Sequence, residues 1–166
     1  LITIFGPISG AHFNPTVTVA MLIAKKITAK DAIIFIILQI IGAGLGGLIA
    51  HGMFELDIFQ ISSKLRQGAS QGFSEIIATF GLILVIFGGL KLRADAIPAL
   101  VGFYITSAYW FTASTSFANP AVTLARSLSD TFAGINPSNI IMFISCQFIG
   151  MLVALILVKY IFSEKE

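Results

Sequence analysis

Four long apolar stretches alternate with short polar segments along this chain. They cover about residues 32–54, 72–90, 96–113 and 140–162, and most of the charged residues lie between them. Since a helix needs about 20 apolar residues to cross a bilayer, the pattern predicts four membrane-spanning helices. The apolar run at residues 1–6 is too short to span, and it is interpreted as the end of a fifth helix whose beginning precedes the chain.

Two shorter apolar segments each begin with asparagine followed by proline. The first opens at Asn14-Pro15 and runs to about Lys25, and the second opens at Asn119-Pro120 and meets polar residues from Arg126 onward. Asparagine can cap an unpaired backbone N–H, and the fixed φ of proline suits the first position of a helix. Helices are therefore predicted to begin at Pro15 and Pro120, and each is too short to cross a membrane. The pattern Asn-Pro-x-Val-Thr thus opens two half-helices.

The number of spans between the two half-helices sets their relative orientation. Three predicted spans lie between them, so the second half-helix enters from the opposite face and the two copies are inverted. The distribution of cations gives the topology, because loops rich in Lys and Arg stay in the cytoplasm. One side carries only Lys64, Arg66 and Arg126, and the predicted cytoplasmic side carries seven cations: Lys25, Lys26, Lys30, Lys91, Arg93, Lys159 and Lys165.

The repeat extends into the span that follows each half-helix. Gln39-x-x-Gly42 follows the first copy, and Gln147-x-x-Gly150 follows the second. Inverted repeats with broken helices place a binding or conduction site near the middle of the membrane. The sequence therefore predicts such a site where the half-helices meet.

Composition agrees with a membrane protein and excludes several functions. Hydrophobic residues make up 57% of the chain, charged residues 11%, and the mean hydropathy is +0.96. These values predict an integral membrane protein whose first partner is the lipid bilayer. The net charge of +2 includes no basic run that would bind nucleic acid, and Cys146 is the single cysteine. No nucleophile and base are placed together, so the sequence predicts neither an enzyme, nor a cofactor, nor a metal site.

The doubled motif resembles the aquaporin and glycerol-facilitator family. The resemblance is carried by residues 8–18, by the second Asn-Pro-Ala and by the two Gln-x-x-Gly echoes. It implies an all-α fold of six spans and two re-entrant half-helices, in which residues 1–166 form a single transmembrane domain without the first span and most of the second. It also implies a homotetramer in the inner membrane. The implied pore motif consists of Asn14, Pro15, Thr16, Asn119, Pro120 and Ala121.

The resemblance implies a passive channel for water and small uncharged solutes. The positive ends of both half-helix dipoles would oppose cations at the pore centre, while the asparagines offer N–H donors. Family members commonly carry arginine where this chain has Val122, and the other implied filter positions are Ser107 and Ser116. Small residues there predict a wide, weakly charged constriction that admits glycerol-like solutes. Residues 119–135 resemble a bacterial subgroup linked to arsenic resistance, which suggests neutral metalloid or arsenical species.

Three further residues are candidates for support of the pore or of its loops. The resemblance implies that Glu75 hydrogen-bonds the backbone of the second re-entrant loop, and that His12 either lines the pore near the cytoplasmic mouth or braces a loop. Arg126 is interpreted mainly as a cation that stabilises the end of a short helix or pairs with Asp130. The alternative role for Arg126 is a displaced filter cation in the outer vestibule. Thr16 replaces the usual alanine, and little effect is expected.

Two other functions remain open on the sequence alone. Inverted repeats also build secondary active transporters, but these need ionisable coupling residues, and within the spans only Glu75 is available. A structural membrane protein with a vestigial pore is the other alternative. The intact Asn14 and Asn119 argue against it.

Overall fold

The computed structural model describes residues 1–162, and within them the chain is helical without any β-strand. Lys165, one of the seven predicted cytoplasmic cations, lies outside the described residues. Short 3₁₀ turns at Ala94–Ala96 and Pro137–Asn139 precede two of the α-helices. The α-helices of the described part are α1 (Ile2–Ser9), α2 (Pro15–Ile23), α3 (Ala29–Met53), α4 (Ala69–Leu92), α5 (Ile97–Phe111), α6 (Pro120–Arg126) and α7 (Ile140–Ile161).

Within residues 1–162, three segments are long and apolar enough to cross a membrane by length and composition. They are α3, α4 and α7 together with the 3₁₀ turn before it. The remaining predicted span, residues 96–113, forms α5, which has only 15 residues. At about 1.5 Å per residue α5 is roughly 22 Å long, shorter than the ~30 Å hydrocarbon core. It ends early because Thr112 takes an extended conformation (φ −103°, ψ 137°) and starts the loop towards α6.

Both predicted half-helices are confirmed. α2 has nine residues and α6 has seven, and each begins at the proline after an asparagine with extended backbone. α2 ends at Ile23, two residues before the predicted end at Lys25, whose φ of +57° is left-handed. The Asn-Pro signal is local, which explains why the sequence located both helix starts correctly.

The first helix continues past the end of the apolar run at residues 1–6 that the sequence assigned to it. α1 contains both Gly6 and Pro7 and runs to Ser9. It ends at Gly10, whose φ of +76° is readily adopted by glycine and whose N–H donates to the Gly6 carbonyl. The left-handed glycine, and not the proline, therefore terminates α1.

The half-helices are held between the longer helices. α4 packs most extensively on α7, while α2 and α6 each contact α3 and α7. The α4–α7 crossing is close at Gly150, where an added Cβ would collide with the Ile76 carbonyl oxygen. Only Ala32 and His51 of α3 are buried, so most of α3 forms an exposed apolar surface. This packing brings the N-termini of α2 and α6 together inside the protein.

Candidate pore

The two half-helices meet N-terminus to N-terminus and are joined by reciprocal hydrogen bonds. Asn14 Nδ2 donates to the Ala118 carbonyl at 2.7 Å, and Asn119 Nδ2 donates to the Phe13 carbonyl at 3.0 Å. Each acceptor is the residue directly before the other asparagine. The loop that leads into one half-helix is thus fastened to the cap of the other.

The same asparagines cap their own helices, which fixes the orientation of their side chains. Asn14 Oδ1 accepts from Thr16 N at 2.9 Å, and Asn119 Oδ1 accepts from Ala121 N at 3.0 Å. Because an amide carries two N–H donors, each Nδ2 group retains one donor after the bond to the opposite loop. Asn119 lines both of the cavities described below, whereas Asn14 is 5% exposed and lines one.

The loops before the two caps share an unusual backbone conformation. The residues one and three positions before each asparagine have left-handed φ angles of +47° to +49°: Phe13 and Ala11 in the first loop, Ala118 and Ser116 in the second. A left-handed conformation costs a residue with a side chain roughly 1–2 kcal/mol. Surrounding hydrogen bonds must therefore hold both loops in place.

Glu75 supplies these bonds for the second loop. Its Oε1 accepts from Ser114 Oγ at 2.5 Å and from Phe117 N at 2.9 Å. Its Oε2 accepts from Ala118 N at 2.8 Å and from Gln147 Nε2 at 2.7 Å. The side chain is fully buried, and four donors surround its two oxygens. This geometry matches the loop contact that the family resemblance implied for Glu75.

The two Gln-x-x-Gly echoes make equivalent contacts. Gln39 Nε2 donates to Thr18 Oγ1 at 2.9 Å, and Gln147 Nε2 donates to Thr123 Oγ1 at 3.0 Å. Each threonine lies four residues after its capping asparagine, so the inverted halves use the same bond. The sequence contained both partners in both halves, but it did not reveal that they pair.

Two cavities adjoin the meeting point of the half-helices. The α3 cavity, named for the α3 residues in its wall, measures about 570 Å³. The α5 cavity, lined by one face of α5, measures about 330 Å³ and includes Asn14 and Ser116. The residues common to both walls are His12, Phe13, Asn119 and Val122. Asn119 therefore borders both cavities, and Asn14 borders the α5 cavity.

The predicted filter residues are only partly brought together. Val122 and Ser116 line the α5 cavity, but Ser107 lines neither cavity, and its hydroxyl donates to the Phe103 carbonyl at 2.8 Å. Ser107 is exposed and lies on a different face of α5 from the residues that line the α5 cavity. Ser107 is two positions from Ile105 and from Tyr109, and residues two apart on a helix point in nearly opposite directions. The α5 residues that do line the cavity recur at every fourth position: Ile97, Val101, Ile105 and Tyr109.

Arg126 does not pair with Asp130 as the sequence suggested. Its Nη2 donates to Tyr109 Oη, and its guanidinium carbon lies 4.3 Å from the centre of the Phe117 ring. Asp130 instead accepts from the backbone N–H of Ser63 at 2.8 Å and from its hydroxyl at 2.9 Å. These two bonds hold the pKa of the Asp130 carboxyl below its ordinary value. Tyr109 is thus a partner that sequence reasoning missed.

His12 lies on the cavity walls and also contacts α2. It lines both cavities, and its Nδ1 lies 3.2 Å from Thr18 Oγ1. Its ring also packs edge-on against Phe35 with centroids 5.6 Å apart. Thr16 is fully buried, and its hydroxyl has no hydrogen-bond partner within residues 1–162.

Arg66 is a second residue that the sequence gave no reason to select. Its side chain is almost fully buried and donates to the carbonyls of Gly134 at 2.7 Å, Ser114 at 3.0 Å and Phe132 at 3.0 Å. It therefore ties the loop after α3 to the loops on both sides of α6. Its guanidinium carbon lies 4.9 Å from the centre of the Phe117 ring.

Spanning helices and two half-helices that meet at their N-termini beside open cavities define a helical membrane protein of the channel type. The family model described as "Major intrinsic protein" matches residues 1–113. The chain is 47% identical over 161 residues to "Aquaglyceroporin AqpS" of Rhizobium meliloti, a match that covers 97% of this chain and 69% of that protein. It is 34% identical over 145 residues to "Glycerol uptake facilitator protein-like 6" of Lactiplantibacillus plantarum, covering 78% and 64%, respectively. It is 30% identical over 137 residues to an "Aquaglyceroporin" of Toxoplasma gondii, covering 78% and 51%.

The chain belongs to the major intrinsic protein family, whose members are integral membrane channels and not enzymes. This confirms the family resemblance and the all-α fold class predicted from the sequence. The chain spans between about half and about two thirds of the length of these three relatives.

Proposed function

We propose that the protein, in its longest natural form, is a passive channel that conducts water and small uncharged solutes such as glycerol. The observation that carries this proposal is the reciprocal pairing of the two caps, Asn14 to Ala118 O and Asn119 to Phe13 O. It points the positive ends of both half-helix dipoles at one place, next to the cavities. The family assignment and the names of the relatives support the same function.

Selection against ions follows from charge and hydrogen bonding at this place. A cation that approaches the paired N-termini meets two partial positive charges, each equivalent to roughly half an elementary charge. A neutral hydroxylated solute can accept a hydrogen bond from the remaining N–H donors of Asn14 and Asn119. The walls are otherwise mostly apolar, so those few donors determine where a solute binds.

Short side chains at the predicted filter positions Val122 and Ser116 support solutes larger than water. Val122 occupies the position on α6 that borders both cavities, and Ser116 lies beside it on the wall of the α5 cavity. Both side chains are short and uncharged. We therefore include glycerol-like molecules and neutral metalloid or arsenical species among the proposed solutes.

The same proposal covers the setting of the channel. Residues 1–166 would form a single aquaporin-like transmembrane domain in the inner membrane, assembled as a homotetramer with one pore in each subunit. The exposed apolar surface of α3 is available for contact with lipid or with neighbouring helices. No nucleic acid is expected as a partner.

A secondary active transporter fits the described residues less well. Such a protein needs a carboxylate that can exchange a coupling ion, and Glu75 is the one carboxylate buried within residues 1–162. Both of its oxygens already accept two hydrogen bonds each from the protein. A coupling ion would have to displace the bonds that support the loop before Asn119.

Flux measurements in proteoliposomes test the proposal. Stopped-flow swelling and shrinking should show that the longest natural form conducts water, glycerol and neutral arsenous acid faster than protein-free vesicles. Asn119→Ala should lower the permeability per reconstituted protein, because it removes both a cap and the bond to Phe13 O. The matched control is Asn136→Ala, which removes the equivalent cap from the 3₁₀ turn at Pro137–Asn139. Wild-type flux equal to that of empty vesicles, or equal flux in both variants, overturns the proposal.

A further inference from the structure

The residue that follows Val122 on the same face of α6 is Arg126. Residues four apart on a helix lie above one another, so Arg126 is one turn further from the asparagine pair. Both residues line the α5 cavity, and so does Tyr109 on the facing helix. A charged side chain therefore borders this cavity even though position 122 is apolar.

The Arg126 side chain is held in place and is not a freely moving surface group. Its Nη2 donates to Tyr109 Oη, and its guanidinium carbon lies 5.7 Å from the centre of the Tyr109 ring and 4.3 Å from that of Phe117. Phe117 is only 4% exposed, so it offers a fixed surface for stacking. A planar guanidinium that stacks on aromatic rings and donates in its own plane has little freedom to swing away.

The charge of Arg126 is not neutralised by a neighbour within the described residues. No salt bridge involves Arg126 there; Asp130 accepts from Ser63, and Glu75 accepts from the loop before Asn119. The second guanidinium at this end of the protein, that of Arg66, lies 4.9 Å from the centre of the same Phe117 ring. Two positive charges thus flank the Phe117 ring, and Arg126 is the one of the two that lines the α5 cavity.

The guanidinium also keeps an unused donor. Arg126 Nη1 is shielded from solvent and has no hydrogen-bond partner within residues 1–162. Ser116 Oγ, on the wall of the same cavity, is in the same situation. A buried donor without a partner is unfavourable by about 1–3 kcal/mol, so Nη1 would be stabilised by an acceptor oxygen that reached it.

We infer that Arg126, positioned by Tyr109, is the charged selectivity element of this pore and acts one helical turn beyond Val122. The inference rests on the proposed channel function. The guanidinium repels cations, including hydronium, and donates a hydrogen bond to the oxygen of a neutral hydroxylated solute. Tyr109 is a positioning residue, since it acts through the guanidinium. Val122 is small and lies one helical turn nearer the asparagine pair than Arg126. Selection by size at Val122 and selection by charge at Arg126 therefore occur at different depths of the pore.

The variants Arg126→Gln and Tyr109→Phe separate the charge from its placement. Glutamine retains hydrogen-bond donors but removes the charge, and phenylalanine retains the ring but removes the acceptor for Nη2. The matched control is Arg93→Gln, because Arg93 is an exposed arginine paired with Asp95 between α4 and α5. Proteoliposomes of the longest natural form carry a pH-sensitive dye for proton leak, and stopped-flow gives the ratio of glycerol to water permeability.

Arg126→Gln should raise proton leak per channel by at least about tenfold, because only the partial charges of the two half-helix N-termini then remain to repel hydronium. Tyr109→Phe should raise the leak by a smaller factor and should also lower the ratio of glycerol to water permeability. Arg93→Gln should match the wild type in both readouts. Arg126→Lys keeps the charge and should restore a low leak, an outcome that a merely structural arginine would not require.

The possible failures are distinguishable. Wild-type vesicles without solute flux overturn the channel function and this inference with it. Wild-type flux combined with unchanged leak and unchanged permeability ratio in Arg126→Gln overturns the inference alone. If Arg126→Gln does not fold, Tyr109→Phe decides, and wild-type values for both of its readouts count against the selectivity role.

Discussion

Replacing Glu75 by glutamine tests whether this carboxylate holds the second re-entrant loop in its left-handed conformation. Glutamine has nearly the same shape but only one acceptor oxygen, while the other end of its amide is a donor. Glu75 accepts from Phe117 N and Ser114 Oγ on one oxygen and from Ala118 N and Gln147 Nε2 on the other. Whichever way the new amide turns, two of these four donors face an N–H group.

The magnitude follows from which donors can adapt. The Ser114 hydroxyl can rotate and the Gln147 amide can turn over, but the N–H of Phe117 or Ala118 belongs to the backbone and cannot. One orphaned backbone donor costs about 1–3 kcal/mol, and two orphaned donors roughly double that. A loss of about 1–3 kcal/mol lowers the midpoint of unfolding by roughly 2–12 °C for a protein of this size.

The assay is thermal unfolding of the detergent-solubilised protein, followed by the fraction that still elutes as a single species after heating. The control is Glu55→Gln, which makes the same chemical change at an exposed glutamate after α3. Water permeability of proteoliposomes provides a second readout. It should fall in Glu75→Gln, because the displaced loop carries Ala118, the acceptor for Asn14.

A midpoint for Glu75→Gln within about 1 °C of that for Glu55→Gln would refute the reasoning, since even one orphaned backbone donor predicts a larger shift. Unchanged stability together with unchanged permeability would show that the loop keeps its conformation without the carboxylate. The left-handed residues before Asn119 would then need another source of support.

Other substitutions probe packing, pore width and the outer loops. Gly150→Ala should lower thermal stability, because its Cβ would collide with Ile76 O, whereas the control Gly102→Ala meets no atom within 4 Å and should not. Val122→Arg should reduce glycerol permeability by at least about tenfold, equivalent to about 1.4 kcal/mol, and water permeability by less; equal losses of both would contradict the proposed width. The hydrogen bonds from Ser63 lower the pKa of Asp130, so they stabilise the loops at pH values above the ordinary carboxyl pKa of about 3.9. This stabilisation is lost as the pH falls through the lowered pKa of Asp130. Hydrogen exchange at the Ser63 amide, corrected for the intrinsic effect of pH, should therefore accelerate in acid and, in Asp130→Ala, already at neutral pH.

The predictable part of the fold depends on local signals. Asn-Pro marks each half-helix start because the cap and the proline act within a few residues, and the long apolar stretches mark α3, α4 and α7. The end of α1 was misplaced because Gly6-Pro7 resembles a helix stop, whereas the actual stop is the left-handed Gly10. Composition alone does not distinguish a glycine–proline pair that a helix tolerates from one that ends the helix.

The site was less predictable because its contacts depend on rotation and on distance along the chain. Ser107 has the sequence offset expected of a filter residue, but the cavity-lining face of α5 is defined by Ile105 and Tyr109. The partner of Arg126 lies 17 residues before it on another helix, and the partner of Asp130 lies 67 residues away. Such pairings depend on how α5 and the loops pack against the other helices. No local sequence pattern encodes that packing.

The reciprocal bonds between the two caps also constrain the order of folding. The Asn14 side chain cannot form its hydrogen bond to the Ala118 carbonyl until Ala118, 104 residues further along the chain, has been synthesised. At a synthesis rate of about 5–20 residues per second, this delay lasts roughly 5–20 s. During that time the first half-helix has unpaired polar groups and cannot rest stably in a lipid-exposed position. The first re-entrant segment is therefore expected to reach its final depth only after the second has been made, so that both halves of the pore are completed in one late step.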